Sequence, residues 1–389
     1  MGGPLIIPHL PSTPTSRREG DRGSRRLALA ALVPYAPGTT PSQRFRIEQW
    51  TPYLAQDGIT VRLLPFADPV LTTLLQAPGH VTRKAWSIAL AFLRRAQTVA
   101  RLRSDDAVLI HRAACLAGPP LLERGMVRLG LPILYDFDDA IFLLHAASAN
   151  RRLAWLKFPG KTATICRISD HVVVGNSYLA DYARGHNPHV TVVPSSIDTD
   201  RYRPRPRDSS PRRVVVGWMG TSTSQTHLEM FGPMLGALAR SRDVEIRVVS
   251  NRRPDLPGVP VLWRPWSAGT EVDEVAEFDV GIMPMPDDEW AMGKCALKAL
   301  QYMAMGVSTI ASAVGANREV IAHGRSGLLA SSNGEWLAGL QALVDDPGLR
   351  GRLGRAARET VEAGYSMRSS VSLLAPVVHE VVRRRREPE

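Results

Sequence analysis

Asp279-Val-Gly-Ile-Met-Pro284, followed by Trp290-Ala-Met-Gly-Lys-Cys-Ala-Leu-Lys-Ala-Leu-Gln-Tyr-Met-Ala-Met-Gly306, passes from an apolar strand-like run into a helical pattern. Leu297, Leu300 and Ala304 form a stripe that can pack on a sheet. Lys294, Lys298 and Gln301 follow at spacings of four and three, which places all three on one face if the helix begins at Gly293. A helix amino end offers free N–H groups and a positive dipole to an anion. With two ammonium groups added, the segment is a candidate diphosphate clamp. The competing reading is two lysines on a solvated helix face; the apolar flanks, the strand-end position and Gly306 as a stop favour the clamp.

The same alternation extends in both directions. Strand-like runs occur at 27–33, 61–64, 107–110, 132–135, 171–174 and 190–193, and again at 213–217, 245–250, 259–263, 280–284, 308–313 and 327–330, with helical patterns between them. Such alternation predicts βαβ units and parallel sheets. The polar, proline-containing stretch Ser195 to Pro211 divides the two series. We expect an α/β chain of two doubly wound Rossmann-like domains facing a central cleft, with chemistry at the carboxyl ends of strands. The expected divisions are a disordered tail at 1–24, a first domain at 25–195, a linker at 196–212, a second domain at 213–365, a final helix at 366–383 and a tail at 384–389.

Composition bounds the alternatives. The chain has 389 residues, 44% of them hydrophobic, and no apolar run long enough to span a membrane. Leu27-Ala-Leu-Ala-Ala-Leu-Val33 follows Arg25 and Arg26 as a signal peptide would, but it is short and runs into Pro34-Tyr35, so we read it as a buried strand. Cys115, Cys166 and Cys295 are odd in number and widely spaced, which fits a reducing cytoplasm and neither a disulfide framework nor zinc. His186 and His189 lack partner acids at ligand spacing, so no metal site is expected. Much of the +11 charge lies in the tails; with no aromatic-interleaved basic motif, nucleic acid is not the expected partner.

Other strand ends carry further candidates. Val216-Gly-Trp-Met-Gly-Thr-Ser-Thr-Ser224 offers Gly220, Thr221 and Ser222 to a phosphate, and matches neither Walker A nor Gly-x-Gly-x-x-Gly. Ser312 to Ile321 offers Gly315, Ala316, Asn317 and Glu319 to phosphate or sugar hydroxyls, against the reading of a plain βα turn. Tyr135-Asp-Phe-Asp-Asp-Ala-Ile-Phe142 carries Asp136, Asp138 and Asp139, for proton transfer, sugar hydroxyls or salt bridges to Arg44, Arg46 or Arg112. Arg44 and Arg46, on the loop after the first strand, can face the cleft and engage an acceptor or donor phosphates. The segment 83–103 reads as a basic amphipathic helix with Trp86 and Phe92. Its commoner form is a core-facing helix with a charged outer face; a helix lying on anionic lipid is the alternative.

Asp279 to Pro284, Gly293-Lys-Cys-Ala-Leu-Lys298, Gln301-Tyr-Met-Ala-Met-Gly306, Ser312-Ala-Val-Gly315 and Gly324-Arg-Ser-Gly-Leu-Leu329 together resemble the carboxyl-terminal domain of family 4 retaining glycosyltransferases. The resemblance runs more loosely through the first domain, by the Arg44/Arg46 loop, the acidic segment and Val192 to Asp200. It implies a GT-B fold and a nucleotide diphosphate sugar held mainly by the second domain. It also implies a hydroxyl acceptor, whether small molecule, lipid-linked or polysaccharide, at the first, a retained anomeric configuration, and no metal or other cofactor. The final helix would cross back to the first domain. Where many members have two glutamates eight residues apart, this chain has Gly293 and Gln301, and the usual lysine and arginine pair is absent from Gly217 to His227. Lys294 and Lys298 are expected to supply that charge, and Asp136 or Asp138 to stand near the place of the family's donor-contacting histidine. A GT-B-like nucleotide-sugar epimerase and a non-catalytic nucleotide-binding scaffold are the alternatives. The expected location is cytoplasmic, with the inner membrane face open through 83–103.

Overall fold

The structure is a computed structural model that describes residues 26–77, 79–143, 158–205 and 212–387. The expected disordered tail at 1–24 lies outside the described residues. Two six-stranded parallel sheets form the frame. The first comprises β1 (Leu27–Val33), β2 (Ile59–Pro65), β3 (Ala107–His111), β4 (Ile133–Phe137), β5 (His171–Val174) and β6 (Val190–Val192), in the order β2-β1-β3-β4-β5-β6. The second comprises β7 (Val214–Gly220), β8 (Val244–Ser250), β9 (Val261–Pro265), β10 (Val280–Met283), β11 (Ser308–Ser312) and β12 (Leu328–Ala330), in the order β12-β11-β10-β7-β8-β9. The central strands are apolar on both faces because helices cover both; β3 and β4 are buried at every position.

The strand order reverses between β1 and β3 and again between β7 and β10. At such a switch point the two neighbouring crossovers leave in opposite directions and open a crevice beyond the carboxyl ends. Gly220, ending β7, and the segment after Met283 therefore border the crevice of the second sheet.

The halves are not separate cores. One buried cluster joins Phe45 and Trp50 of the first half to Ile197 and Tyr202 of the connecting segment, Phe278 and Tyr302 of the second, and Val371 and Val378 of the last helix. The described part of the expected linker is thus packed: Tyr202 is buried and Ile197 bridges to Ser366. The last helix, Met367–Arg386, lies against the first half, where Ser370 Oγ donates to Pro194 O at 3.2 Å and Arg385 Nε to Gly130 O at 3.1 Å. The expected tail from 384 is instead helical through Arg386, its four terminal arginines sitting in the last turn, where the helix dipole favours cations.

Candidate active site between the two sheets

The lysine segment departs from one continuous helix. Gly293 caps the short helix Glu289–Met292, Ala296 takes a left-handed conformation at φ 53°, and the next helix, Leu297–Ala304, starts only there. Lys294 therefore lies before the helix, Lys298 in its first turn, and Gln301 one turn on. Gln301 is buried, and its Nε2 donates to the Tyr202 hydroxyl at 2.9 Å. The expectation that all three share one face fails at the Ala296 break, which leaves Lys294 outside the helix that carries Lys298 and Gln301, and the Gln301 amide is engaged by Tyr202.

Lys298 meets the end of β7. Its Nζ stands 5.6 Å from the centroid of the Trp218 ring, and a Cβ built on Gly220 would fall 2.5 Å from that ring and 2.8 Å from Lys298 Cε. Glycine at 220 thus lets backbone, indole and lysine stem meet at the crevice. Among the described residues no carboxylate pairs with Lys298. Burial first, and Lys294 second, lower its pKa to about 8, because charge taken out of water without a counter-ion disfavours protonation. Beside it, Thr221 Oγ1 and Thr223 Oγ1 lie 2.7 Å apart, while Ser222 N already donates to Asn251 Oδ1 at 2.7 Å.

Lys294 belongs to a different array. Arg46 and Asp136, each 0% exposed, form a forked pair with Nε–Oδ1 at 3.0 Å and Nη2–Oδ1 at 2.5 Å. Asp136 Oδ2 also bonds His111 Nδ1 at 2.7 Å, the β3 residue in register beside it. The other His111 nitrogen lies 3.1 Å from Ser42 Oγ, which donates to Asp138 Oδ1 at 2.7 Å. Arg112, at φ 63°, gives Asp138 Oδ1 two bonds of 2.9 and 2.7 Å and lies 3.6 Å from Asp139. Asp139 in turn faces Lys294 Nζ, with both oxygens at 3.0 Å. Burial alone would raise the carboxyls of Asp136 and Asp138, but the arginines and His111 outweigh it and hold both below the ordinary carboxylate range. Asp136 has both oxygens occupied deep in the first half, whereas Asp138 and Asp139 lie near the interface.

Further contacts fix that interface. A Cβ on Gly293 would come within 2.6 Å of Ala140 Cβ, and one on Gly175 within 2.3 Å of Cys295 Sγ. Asn176 Nδ2 donates to Met292 O at 3.0 Å and Lys294 O at 3.1 Å, holding the broken segment from the other half. Arg44 pairs with Glu271 across the halves at 3.2 and 2.5 Å, both side chains buried. Arg44 and Arg46 are therefore committed to carboxylates, and of the expected cleft arginines only Arg112 keeps partial exposure. Glu319 accepts from Ser177 Oγ and from Ser177 N, the latter at 3.3 Å. Gly315, at φ 50°, precedes the buried Ala316, and Asn317 Nδ2 donates to Ser312 O at 2.9 Å while its Oδ1 has no partner among the described residues.

Sequence reading missed Ser42, His111, Asn176, Trp218, Glu271 and Cys295. Of these, only His111 and Trp218 carried a usable signal, as polar or aromatic side chains at predicted strand ends. A cavity of about 290 Å³ also opens beyond β10, β11 and β12, bordered by His227, Pro284, Ser312, Arg318, Ser332 and Trp336. Neither lysine lines it. Arg318, at the rim of this cavity, is exposed to water and has no ion pair among the described residues, whereas Lys298 is largely withdrawn from water without one, so we centre the candidate site at the Lys298 corner. Among the described residues no three His, Cys, Asp or Glu side chains converge as metal ligands.

Residues 213–346 match the family model described as Glycosyl transferases group 1. A D-inositol 3-phosphate glycosyltransferase of Arthrobacter sp. (strain FB24) is 24% identical over 231 residues, which are 53% of this chain and 52% of that protein. The chain thus spans about half the length of that curated relative. A solved glycosyltransferase from Rickettsia africae ESF-5 is similar at a TM-score of 0.65 and 12% identity, over 92% of this chain and all of that one. Anabaena HepE, solved in complex with UDP, gives 0.61 at 15% identity over 91% of this chain and all of that one. The fold is GT-B, and residues 213–346 of its second half are similar to group 1 glycosyl transferases.

Proposed function

We propose that the chain transfers a sugar from a nucleotide diphosphate sugar to an acceptor hydroxyl with retention of anomeric configuration. The observation that carries this reading is Lys298: a largely buried ammonium with no carboxylate partner among the described residues, at the crevice of a GT-B second domain beside Gly220. Such a cation stabilises an anion more than it stabilises the empty protein. In this reading the donor diphosphate lies against Lys298 and the Gly220 to Ser222 turn, and Lys294 leaves Asp139 to meet the outer phosphate. The backbone of Gly293 and of Gly315 to Asn317 borders the donor, with Glu319 accepting from a sugar hydroxyl. Asp138, Asp139 and Arg112 border the acceptor. Asp136 and Arg46 hold Asp138 in place through His111 and Ser42, and Gln301 orders the helix behind the lysines.

The acceptor oxygen bonds to the anomeric carbon on the face that the diphosphate leaves. The carbon–oxygen bond to phosphate breaks, and the acceptor proton passes to an oxygen of the departing diphosphate. Lysine charge preorganised at that leaving group lowers the barrier. Because these cations face the diphosphate, we expect turnover to persist in EDTA.

The test is calorimetry with uridine, guanosine, thymidine and adenosine diphosphates and their sugars, repeated on Lys298→Ala. Binding of one diphosphate by the parent and its loss in the variant support the reading. No binding by the parent to any of them sinks it. Conversion of a bound nucleotide sugar without an acceptor would point to an epimerase instead.

A further inference from the structure

The helix Val81–Ala100 differs from the expected core-facing helix with a charged outer face. Its inner side is conventional, with Ala91, Arg95 and Val99 buried. Its outermost pole is apolar: Trp86 is 68% exposed, Leu90 42% and Leu93 60%. Spacings of four and three put these three side chains on one stripe, and at 3.6 residues per turn that stripe lies roughly opposite Ala91 and Val99. The helix thus carries two apolar faces, of which the fold covers only one.

Charge flanks the uncovered face. From Val81 to Ser104 there is no acidic residue. Arg94 is paired with Asp68 at 2.9 Å, and Lys84 Nζ donates to Ala77 O. Arg83 and Arg101 are exposed and carry no ion pair among the described residues. A water-facing helix gains nothing from presenting a tryptophan and two leucines beside unpaired arginines. At the surface of an anionic bilayer the rings and leucines can enter the acyl boundary while the arginines meet headgroup phosphates.

We infer that this face docks the protein on an anionic lipid surface, as a helix lying in the plane of the headgroups. No helix among the described residues is long and apolar enough to cross a membrane, so the contact is peripheral. The helix is the crossover from β2 to β3 and therefore runs from the carboxyl to the amino edge of the first sheet. Its opening turns, with Arg83 and Trp86, lie toward the edge that carries the candidate site. The inference is independent of the proposed transfer reaction, because it concerns only this face.

The experiment is co-sedimentation of the full chain with vesicles of phosphatidylcholine alone or with about a third phosphatidylglycerol, the anionic fraction supplying the surface potential. Two variants accompany it: Trp86→Ser/Leu90→Ser/Leu93→Ser, and Arg83→Glu/Arg101→Glu. The parent is expected to sediment with the anionic vesicles and not with the neutral ones. Each variant should lose at least about tenfold of that partitioning with its circular dichroism unchanged, both apolar burial and arginine attraction being required. A parent that ignores anionic vesicles overturns the inference, as does a well-folded charge variant that binds them equally. Light scattering on the same samples covers the other occupant. A dimer in the parent that the serine variant abolishes, without vesicle binding, assigns the face to a second copy and also overturns the inference.

Discussion

Lys294 Nζ stands 3.0 Å from both oxygens of Asp139, and this ion pair joins the acidic segment of the first half to the broken lysine segment of the second. Lys294 keeps partial exposure while Asp139 is buried, so water still screens the ammonium and the pair's net contribution is on the order of 1 kcal/mol. Its larger effect is on availability. Asp139→Asn should release Lys294 for phosphate and tighten binding of the diphosphate alone by a few fold, while slowing transfer because the halves meet less well. Calorimetry and turnover on the same preparation check it; unchanged affinity would count against Lys294 as a phosphate ligand.

Lys298→Met keeps the stem's volume and removes the charge. Charge-assisted hydrogen bonds contribute about 1.5–3 kcal/mol, so the diphosphate dissociation constant should rise about 10- to 150-fold. The ligand-free protein should be as stable or more stable, because an unpaired buried ammonium costs free energy. An affinity within twofold of the parent would remove Lys298 from the site.

The same lysine sets a pH dependence. Its pKa is lowered from 10.5 to about 8, so between those values the unfolded chain binds more protons than the folded one. Ligand-free stability from this group therefore rises with pH across about 8 to 10.5. Diphosphate binding runs the other way and weakens as pH climbs through about 8 and the ammonium is lost. Urea midpoints and calorimetry across this window, on parent and Lys298→Met, should show both trends in the parent alone.

Arg46→Ala leaves Asp136 buried against His111 without its guanidinium. Breaking one partner out of a buried pair costs about 3–5 kcal/mol, readable as a fall in the urea midpoint at unchanged slope. The folded pKa values of Asp136 and Asp138 are lowered. Their contribution to stability is therefore present above the ordinary carboxylate range and lost as pH falls through the depressed values. Arg46→Ala should flatten that acid limb.

Gly293→Glu places a carboxylate at a position where even a Cβ would come within 2.6 Å of Ala140. The two halves would have to part to admit it. A larger radius of gyration by small-angle scattering and a fall in turnover of at least about tenfold, equivalent to 1.4 kcal/mol, are the expected outcomes. An unchanged radius would show that the halves already sit further apart in solution.

The sheets were legible because each strand is a short apolar run between helical patterns, and all twelve predicted runs lie on strands to within a few residues. The site was less legible, because its geometry depends on one dihedral angle. Apolar periodicity across 293–301 reads as a continuous helix, and nothing local announces that Ala296 turns left-handed and sends Lys294 toward Asp139. Arg44 and Arg46 look alike in sequence as loop cations. Their partners, Glu271 and Asp136, are 227 and 90 residues away and are chosen by tertiary packing alone. His111 escaped notice because its meaning lies in register with Asp136 on the neighbouring strand.

The series from Arg46 to Lys294 is hydrogen-bonded through His111 and the Ser42 hydroxyl as far as Arg112, continues as an ion pair to Asp139, and ends on an ammonium that two anions can claim. While Asp139 holds it, the halves are drawn together; once a phosphate takes it, Asp139 is left to Arg112 alone, 3.6 Å away. Arg112 must then divide its charge between Asp138 and Asp139. If the proposed transfer holds, arrival of a diphosphate in the second half would be felt as a change of counter-ion in the first, beside the residues proposed to border the acceptor. On this account the order in which the two substrates enter is a property of how many positive charges the interface was given.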